Sequence, residues 1–237
     1  MAEHRNISRP ADWLEQISIP ALYVVTDTVI GRDRSHAEIA SSAVAGGAGI
    51  IQLRDKFLTP ASLLREAIAV REAIAGYDAL FVVNDSLDVA IASGADGVHL
   101  GQSDGSVPEA RAAAEAAFPS GPDAPNRFII GVSVGSVEEA CLAVDEGADY
   151  VALGPVFPTI SKVDAGAARG LLLLQEIHEA VPGVPLVGIG GIDLANVQDV
   201  FRAGADSAAV ISAVVAQDDV TAAARTMMRL IREVNRE

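Results

Sequence analysis

Residues 94–100 read GADGVHL, residues 147–153 GADYVAL and residues 204–210 GADSAAV. In each, a glycine suited to ending a helix leads through Ala-Asp into a short apolar run of strand-like composition. Gly47-Ala48-Gly49 is a looser fourth copy, followed by IIQL. Turns of this kind join a helix to the next buried strand. They are expected on the face of the fold that serves stability, and no chemistry is assigned to them.

Working outward from these turns, strand-like runs start at Ala21, Ile50, Ala79, Gly97, Phe128, Tyr150, Pro185 and Ser207, the last read as SAAVISAVV over 207–215. A segment of helical period follows each. Residues 136–146, SVEEACLAVDE, carry a Ser cap and Glu in the first turn, and the last helix is expected from Asp218 to about residue 236. Eight such units in 237 residues fit one α/β domain, a single (β/α)8 TIM barrel, better than two smaller domains. The expected division is an N-terminal arm over 1–20 and a barrel over 21–237. The loop-rich PSGPDAPN, 119–126, falls between a helix and a strand and so is expected far from any active face.

With 17 basic and 32 acidic residues the formal charge is −15, which argues against nucleic acid or an anionic membrane as a partner. Anionic ligands must therefore meet a local basic cluster. The single cysteine, Cys141, can form no intrachain disulfide and no zinc cage. The N-terminus lacks the order of a signal peptide, and no stretch of about 18 apolar residues occurs. The expectation is a cytoplasmic protein acting on small molecules, with a homo-oligomer left open.

Parallel barrel strands are buried on both faces, so a polar side chain in or just after one needs a reason. In the second strand Gln52, Arg54 and Lys56 share one face by the two-residue period, and Ile51 and Leu53 take the other. The polar face is expected to point into the barrel mouth. The third strand ends in Asn84-Asp85, the fourth runs into Gly101-Gln102-Ser103-Asp104, and the fifth carries Ser133. The sixth leads into GPVFPTISK, 154–162, with Thr159, Ser161 and Lys162. The seventh gives Gly188-Ile189-Gly190-Gly191 and the eighth Val210-Ile211-Ser212. All lie at carboxyl ends of strands, where barrel enzymes place catalysis.

Only two lysines, Lys56 and Lys162, occur among the 17 basic residues, and both fall in mouth segments. A compact ammonium is wanted there. The glycine-rich seventh loop with the eighth strand end is the usual barrel phosphate site. Asp85 and Asp104 sit on neighbouring strand ends, and Mg²⁺ is held by one or two carboxylates plus substrate phosphates. Capping or turn formation is an equal reading for either aspartate alone; convergence with Arg54, Lys56 and Lys162 favours metal. Cys141, Trp13 and His178 read as packing or surface residues, and His99 as structural.

QLRDK (52–56), VVND (82–85), ADGVHLGQSD (95–104), GVS (131–133), GPVFPTISK (154–162), GIGGI (188–192) and VIS (210–212) together resemble the thiamine phosphate synthase family in order and spacing. The resemblance spans about residues 20–216. It implies a Mg²⁺-assisted transferase that couples hydroxymethylpyrimidine diphosphate to hydroxyethylthiazole phosphate, giving thiamine phosphate and diphosphate. It further implies that Gln52, Arg54, Lys56, Asn84, Ser133 and Lys162 hold the pyrimidine diphosphate, with Arg54, Lys56 and Lys162 catalytic. Asp85 and Asp104 would bind Mg²⁺, and Thr159, Ser161, Gly191, Ile211 and Ser212 the thiazole phosphate. The family often has Thr-x-Thr-Lys where this chain has Thr159-Ile160-Ser161-Lys162; serine keeps the hydroxyl.

Three other readings compete. A thiazole tautomerase-like paralogue, or a noncatalytic barrel that senses a phosphate ligand, has no use for the aspartate pair. A phosphosugar isomerase or epimerase needs an acid/base pair that the strand ends do not offer.

Overall fold

The structure is a computed structural model and describes residues 21–118, 128–159, 161 and 166–234. Trp13, Lys162, the arm at 1–20 and the segment 119–126 lie outside them. Eight parallel strands close into a barrel in sequence order: β1 (Leu22–Thr26), β2 (Ile50–Leu53), β3 (Leu80–Asn84), β4 (Gly97–Leu100), β5 (Ile129–Val134), β6 (Tyr150–Leu153), β7 (Leu186–Ile189) and β8 (Ser207–Val210). Between them run α1 (His36–Ala45), α2 (Pro60–Ile74), α3 (Leu87–Ser93), α4 (Val107–Ala117), α5 (Val137–Asp145), α6 (Gly170–Ala180) and α7 (Val197–Arg202). After β8 come α8 (Ser212–Val215) and α9 (Val220–Val234). The expected (β/α)8 barrel is thus observed, as is the Ser136 cap, whose hydroxyl accepts from the Glu139 N–H.

One element differs. SAAVISAVV is a strand only as far as Val210, and its second half is the short helix α8. Periodicity cannot separate a nine-residue apolar run into strand and helix, and here closure against β1 ends the strand.

Alternate strand residues split between two cores. Tyr23, Val25, Ile50, Val82, Ile129, Tyr150, Ala152, Val187 and Ala209 fill the barrel interior. The opposite faces, including Ile51, Leu53, Phe81, Val83 and Val98, pack under the helices. In one register row Asn84, His99, Gly131 and Tyr150 lie side by side. Glycine at 131 is required by packing, because a Cβ there would overlap the Tyr150 ring.

The Gly-Ala-Asp turns carry a device beyond capping. Each aspartate brackets one residue of the preceding strand: the Asp96 N–H donates to the Phe81 carbonyl and its carboxylate accepts the Phe81 N–H at 2.7 Å. Asp149 treats Ile130 in the same way, and Asp206 treats Leu186. The side chain therefore extends the ladder where the backbone has turned away. Gly94, Gly147 and Gly204 all have positive φ, which suits glycine at these turns. Asp96→Ala is expected to cost about 1.5 kcal/mol in denaturant unfolding, with Michaelis constants unchanged because the turn lies at the amino end of the barrel.

Candidate active site

At the carboxyl ends of the strands lies a cavity of about 160 Å³. Its floor is apolar, from Val25, Ala152, Val187, Ile189 and Ala209. One wall carries Gln52, Arg54, Asn84 and Ser133; the other carries Thr159, Ser161, Gly190, Gly191, Ile211 and Ser212. The polar face read from β2 does point inward at Gln52 and Arg54. Lys56 lies on the exposed rim.

The rim also joins the two aspartates. Asp85 follows β3 in a left-handed conformation, φ 63°, with its N–H on the His99 carbonyl at 2.8 Å. Asp104 is held in its loop by the Gly101 N–H, which donates to Oδ2 at 2.9 Å. The two carboxyls meet: burial first, then hydrogen bonding and repulsion from Asp104, push Asp85 up to about 6, against the opposing pull of Lys56 and Arg54. Two acids pressed together beside two cations could hold a divalent ion on the acidic half.

The second strand's loop has its own supports. Asp55, between Arg54 and Lys56, accepts the Phe57 and Leu58 N–H groups through Oδ1 at 2.8 and 3.1 Å. Its Oδ2 faces His36 Nε2 at 3.4 Å, and His36 Nδ1 lies 2.7 Å from Thr26 Oγ1. This chain of contacts from β1 fixes the turn that presents the cations.

The opposite wall is a cradle of backbone and hydroxyls. Gly190 and Gly191 have φ of 93° and 67°. The Val156 and Phe157 N–H groups donate to the Ile189 and Gly190 carbonyls, which seats the β6 loop on the β7 loop. Ser161 Oγ reaches Ser212 Oγ at 3.3 Å, linking β6 to the start of α8. Such a surface can hold a phosphate group close to the backbone.

Tyr23 and His99 line the cavity as well and were missed as site residues. His99 carried a usable signal, being polar on the inward period of a buried strand. Nothing in the sequence marks Tyr23, since a tyrosine opening an apolar run looks like core.

A half carrying cations and carboxylates that faces a glycine and hydroxyl cradle across the mouth of a barrel is the layout of an enzyme acting on small molecules. The sequence matches the thiamine monophosphate synthase family over residues 22–214. It is 58% identical over 206 residues to the thiamine-phosphate synthase of Methanoculleus marisnigri, covering 87% of this chain and 92% of that one. With the thiamine-phosphate synthase of Chloroflexus aurantiacus it shares 42% identity over 226 residues, 95% of this chain and 96% of the relative. The solved thiamine phosphate pyrophosphorylase of Pyrococcus furiosus superposes with a TM-score of 0.78 at 40% identity, covering 90% of this chain and 96% of that chain. The chain belongs to the thiamine monophosphate synthase family.

Proposed function

We propose that the protein is a transferase that condenses hydroxymethylpyrimidine diphosphate with hydroxyethylthiazole phosphate, releasing diphosphate and forming thiamine phosphate. The observation that carries this reading is the two-sided cavity, Gln52, Arg54, Asn84 and Ser133 facing a glycine and hydroxyl cradle on β6 to β8, with Asp85 meeting Asp104 near Lys56 and Arg54 beside it.

Gln52, Arg54, Asn84 and Ser133 hold the pyrimidine diphosphate, with Lys56 from the rim and, by its place in the sequence, Lys162. Thr159, Ser161, Gly191, Ile211 and Ser212 hold the thiazole phosphate. Asp85 and Asp104 would hold Mg²⁺. Bound there, the ion would supply positive charge to the diphosphate oxygens.

Breaking the bond between the pyrimidine methylene carbon and the diphosphate oxygen sends the electron pair to the diphosphate. The carbon left behind is a cation that the aminopyrimidine ring stabilises by donation. The thiazole nitrogen then gives its lone pair to that carbon. Arg54, Lys56 and Lys162 neutralise charge on the departing group, and the cradle aligns the nucleophile by its phosphate. No general base is needed.

Among the described residues no helix is long and apolar enough to cross a membrane. The single cysteine supports a cytoplasmic setting.

The test is diphosphate release by purified protein. Release is expected only with both substrates and Mg²⁺ present. Equal release from the pyrimidine substrate alone would make the protein a hydrolase of that diphosphate.

A further inference from the structure

We propose that Tyr23 and Tyr150 are positioning residues: a hydrogen-bond chain of fixed direction, Gln52–Tyr23–Tyr150–His99–Ser133, crosses the barrel interior and turns the Ser133 hydroxyl into a donor toward the cavity. The inference rests on the function above for its kinetic consequence, and on the geometry alone for the direction of the chain.

The chain draws on β2, β1, β6, β4 and β5 in that spatial order. Gln52 Nε2 donates to Tyr23 Oη at 2.6 Å. Tyr23 Oη lies 3.0 Å from Tyr150 Oη. Tyr150 Oη lies 2.9 Å from His99 Nδ1, and His99 Nε2 lies 2.9 Å from Ser133 Oγ. Both tyrosines are 1% exposed, so neither hydroxyl can exchange its partner for bulk water, and a buried hydroxyl without a bond is costly. Burial also pushes both phenols above their ordinary range, so they stay neutral and each keeps one hydrogen to donate.

The direction follows from donor chemistry. Gln52 Nε2 cannot accept, so Tyr23 receives its hydrogen; Tyr150 Oη, 3.0 Å away, is then the acceptor that leaves neither buried phenol hydrogen unbonded. Tyr150 in turn donates to His99 Nδ1. A neutral imidazole that accepts at Nδ1 carries its hydrogen on Nε2, and that hydrogen goes to Ser133 Oγ. Ser133 is thereby an acceptor within the chain, and its own hydrogen is directed to whatever fills the cavity. The acceptor it meets would be a lone pair on the pyrimidine diphosphate, the substrate assigned to that wall.

Packing holds the chain rigid. The His99 and Tyr150 rings stack with centroids 5.5 Å apart, and Tyr23 meets Tyr150 edge-on at 6.3 Å. Gly131 provides the room for the Tyr150 ring. Gln52 and Ser133, the two ends, both line the cavity, so the interior wiring couples one substrate-facing group to another.

The experiment is ¹⁵N NMR of the full chain labelled at histidine, with no substrate present, alongside steady-state kinetics. Wild-type His99 is expected as the Nε2–H tautomer at neutral pH. Tyr150→Phe removes the donor to Nδ1 and should move the Nδ1 resonance to that of an unbonded lone pair, with the hydrogen still on Nε2. Its kcat should fall on the order of tenfold, with the Michaelis constant for the thiazole phosphate unchanged. Gln52→Glu supplies an end that only accepts, so it should reverse the chain and give the Nδ1–H tautomer with both tyrosines intact. That variant also serves if Tyr150→Phe does not fold, as judged by circular dichroism. An Nδ1–H tautomer in the wild type, or a His99 spectrum unaltered in Gln52→Glu, overturns the proposal. The expected tautomers in a protein that forms no thiamine phosphate would leave the chain standing and refute the function instead.

Discussion

Asp85→Asn is expected to abolish most turnover while making the metal-free protein more stable at neutral pH. Asparagine is nearly isosteric and is among the residues that tolerate the left-handed backbone found at Asp85, φ 63°. The fold therefore has no reason to change. What changes is charge: on the proposed function, the ion that would help the diphosphate leave loses one of its two carboxylates. Electrostatic assistance of this kind is worth several kcal/mol, so kcat/KM should fall on the order of a hundredfold or more, with a shift to higher Mg²⁺ demand.

Stability moves the other way. The folded-state pKa of Asp85 is raised from 3.8 to about 6, so within that window the folded protein holds more protons than the unfolded chain. Stability of the metal-free wild type then falls as pH rises through the window, and the cost is complete above it. Asparagine has no such cost. Melting curves without metal should place the variant above wild type at neutral pH and level with it below about pH 4. Wild-type turnover in the variant, or a lower melting temperature at neutral pH, would contradict the paired-carboxylate site.

Gly191→Val should raise the Michaelis constant for the thiazole phosphate far more than that for the pyrimidine diphosphate. A Cβ at 191 would sit 2.5 Å from the Pro158 carbonyl oxygen and 2.7 Å from Phe157 Cβ, at a φ of 67°. Neither neighbour is the end of a flexible side chain, so the β6 loop must move. A β-branched residue in the left-handed region adds about 1–2 kcal/mol of strain. Displacement of the loop carries Thr159 and Ser161 with it and would break the contacts to the phosphate that the proposed function gives them. Charge-assisted bonds are worth about 1.5–3 kcal/mol each, so the Michaelis constant should rise tenfold or more. The chemical step should be less affected, because remote phosphate contacts bind substrate and transition state alike. An effect confined to the pyrimidine substrate would mean that the two phosphates occupy the opposite walls.

Particular residues show where reading the chain succeeds. Gln52 and Arg54 point inward and Ile51 and Leu53 outward because a strand's side chains alternate whatever their neighbours are. The Gly-Ala-Asp turns mark the barrel's amino end because a positive-φ glycine after a helix is a local requirement. The clustering of Asp85, Asp104, Arg54 and Lys56 was legible for the same reason: each lies just past a strand, and adjacent parallel strands end side by side. Where reading failed, the missing information was long-range. SAAVISAVV has no internal mark at Ile211, where the chain turns from strand to helix. The aspartates of the repeated turns looked like turn residues, since their partners Phe81, Ile130 and Leu186 lie 15 to 20 residues back.

Alternation, turn chemistry and composition, all local, were enough to determine the barrel, the end that carries the site and the polar groups facing it. Tertiary structure alone decided which inward groups touch. Tyr23 and Tyr150 are 127 residues apart in the chain, yet they share a hydrogen bond because closing eight strands brings opposite walls within reach of two facing side chains. Periodicity assigns a residue to a face; the stagger of the closed barrel assigns its neighbour across the interior, and that is a property of all eight strands at once.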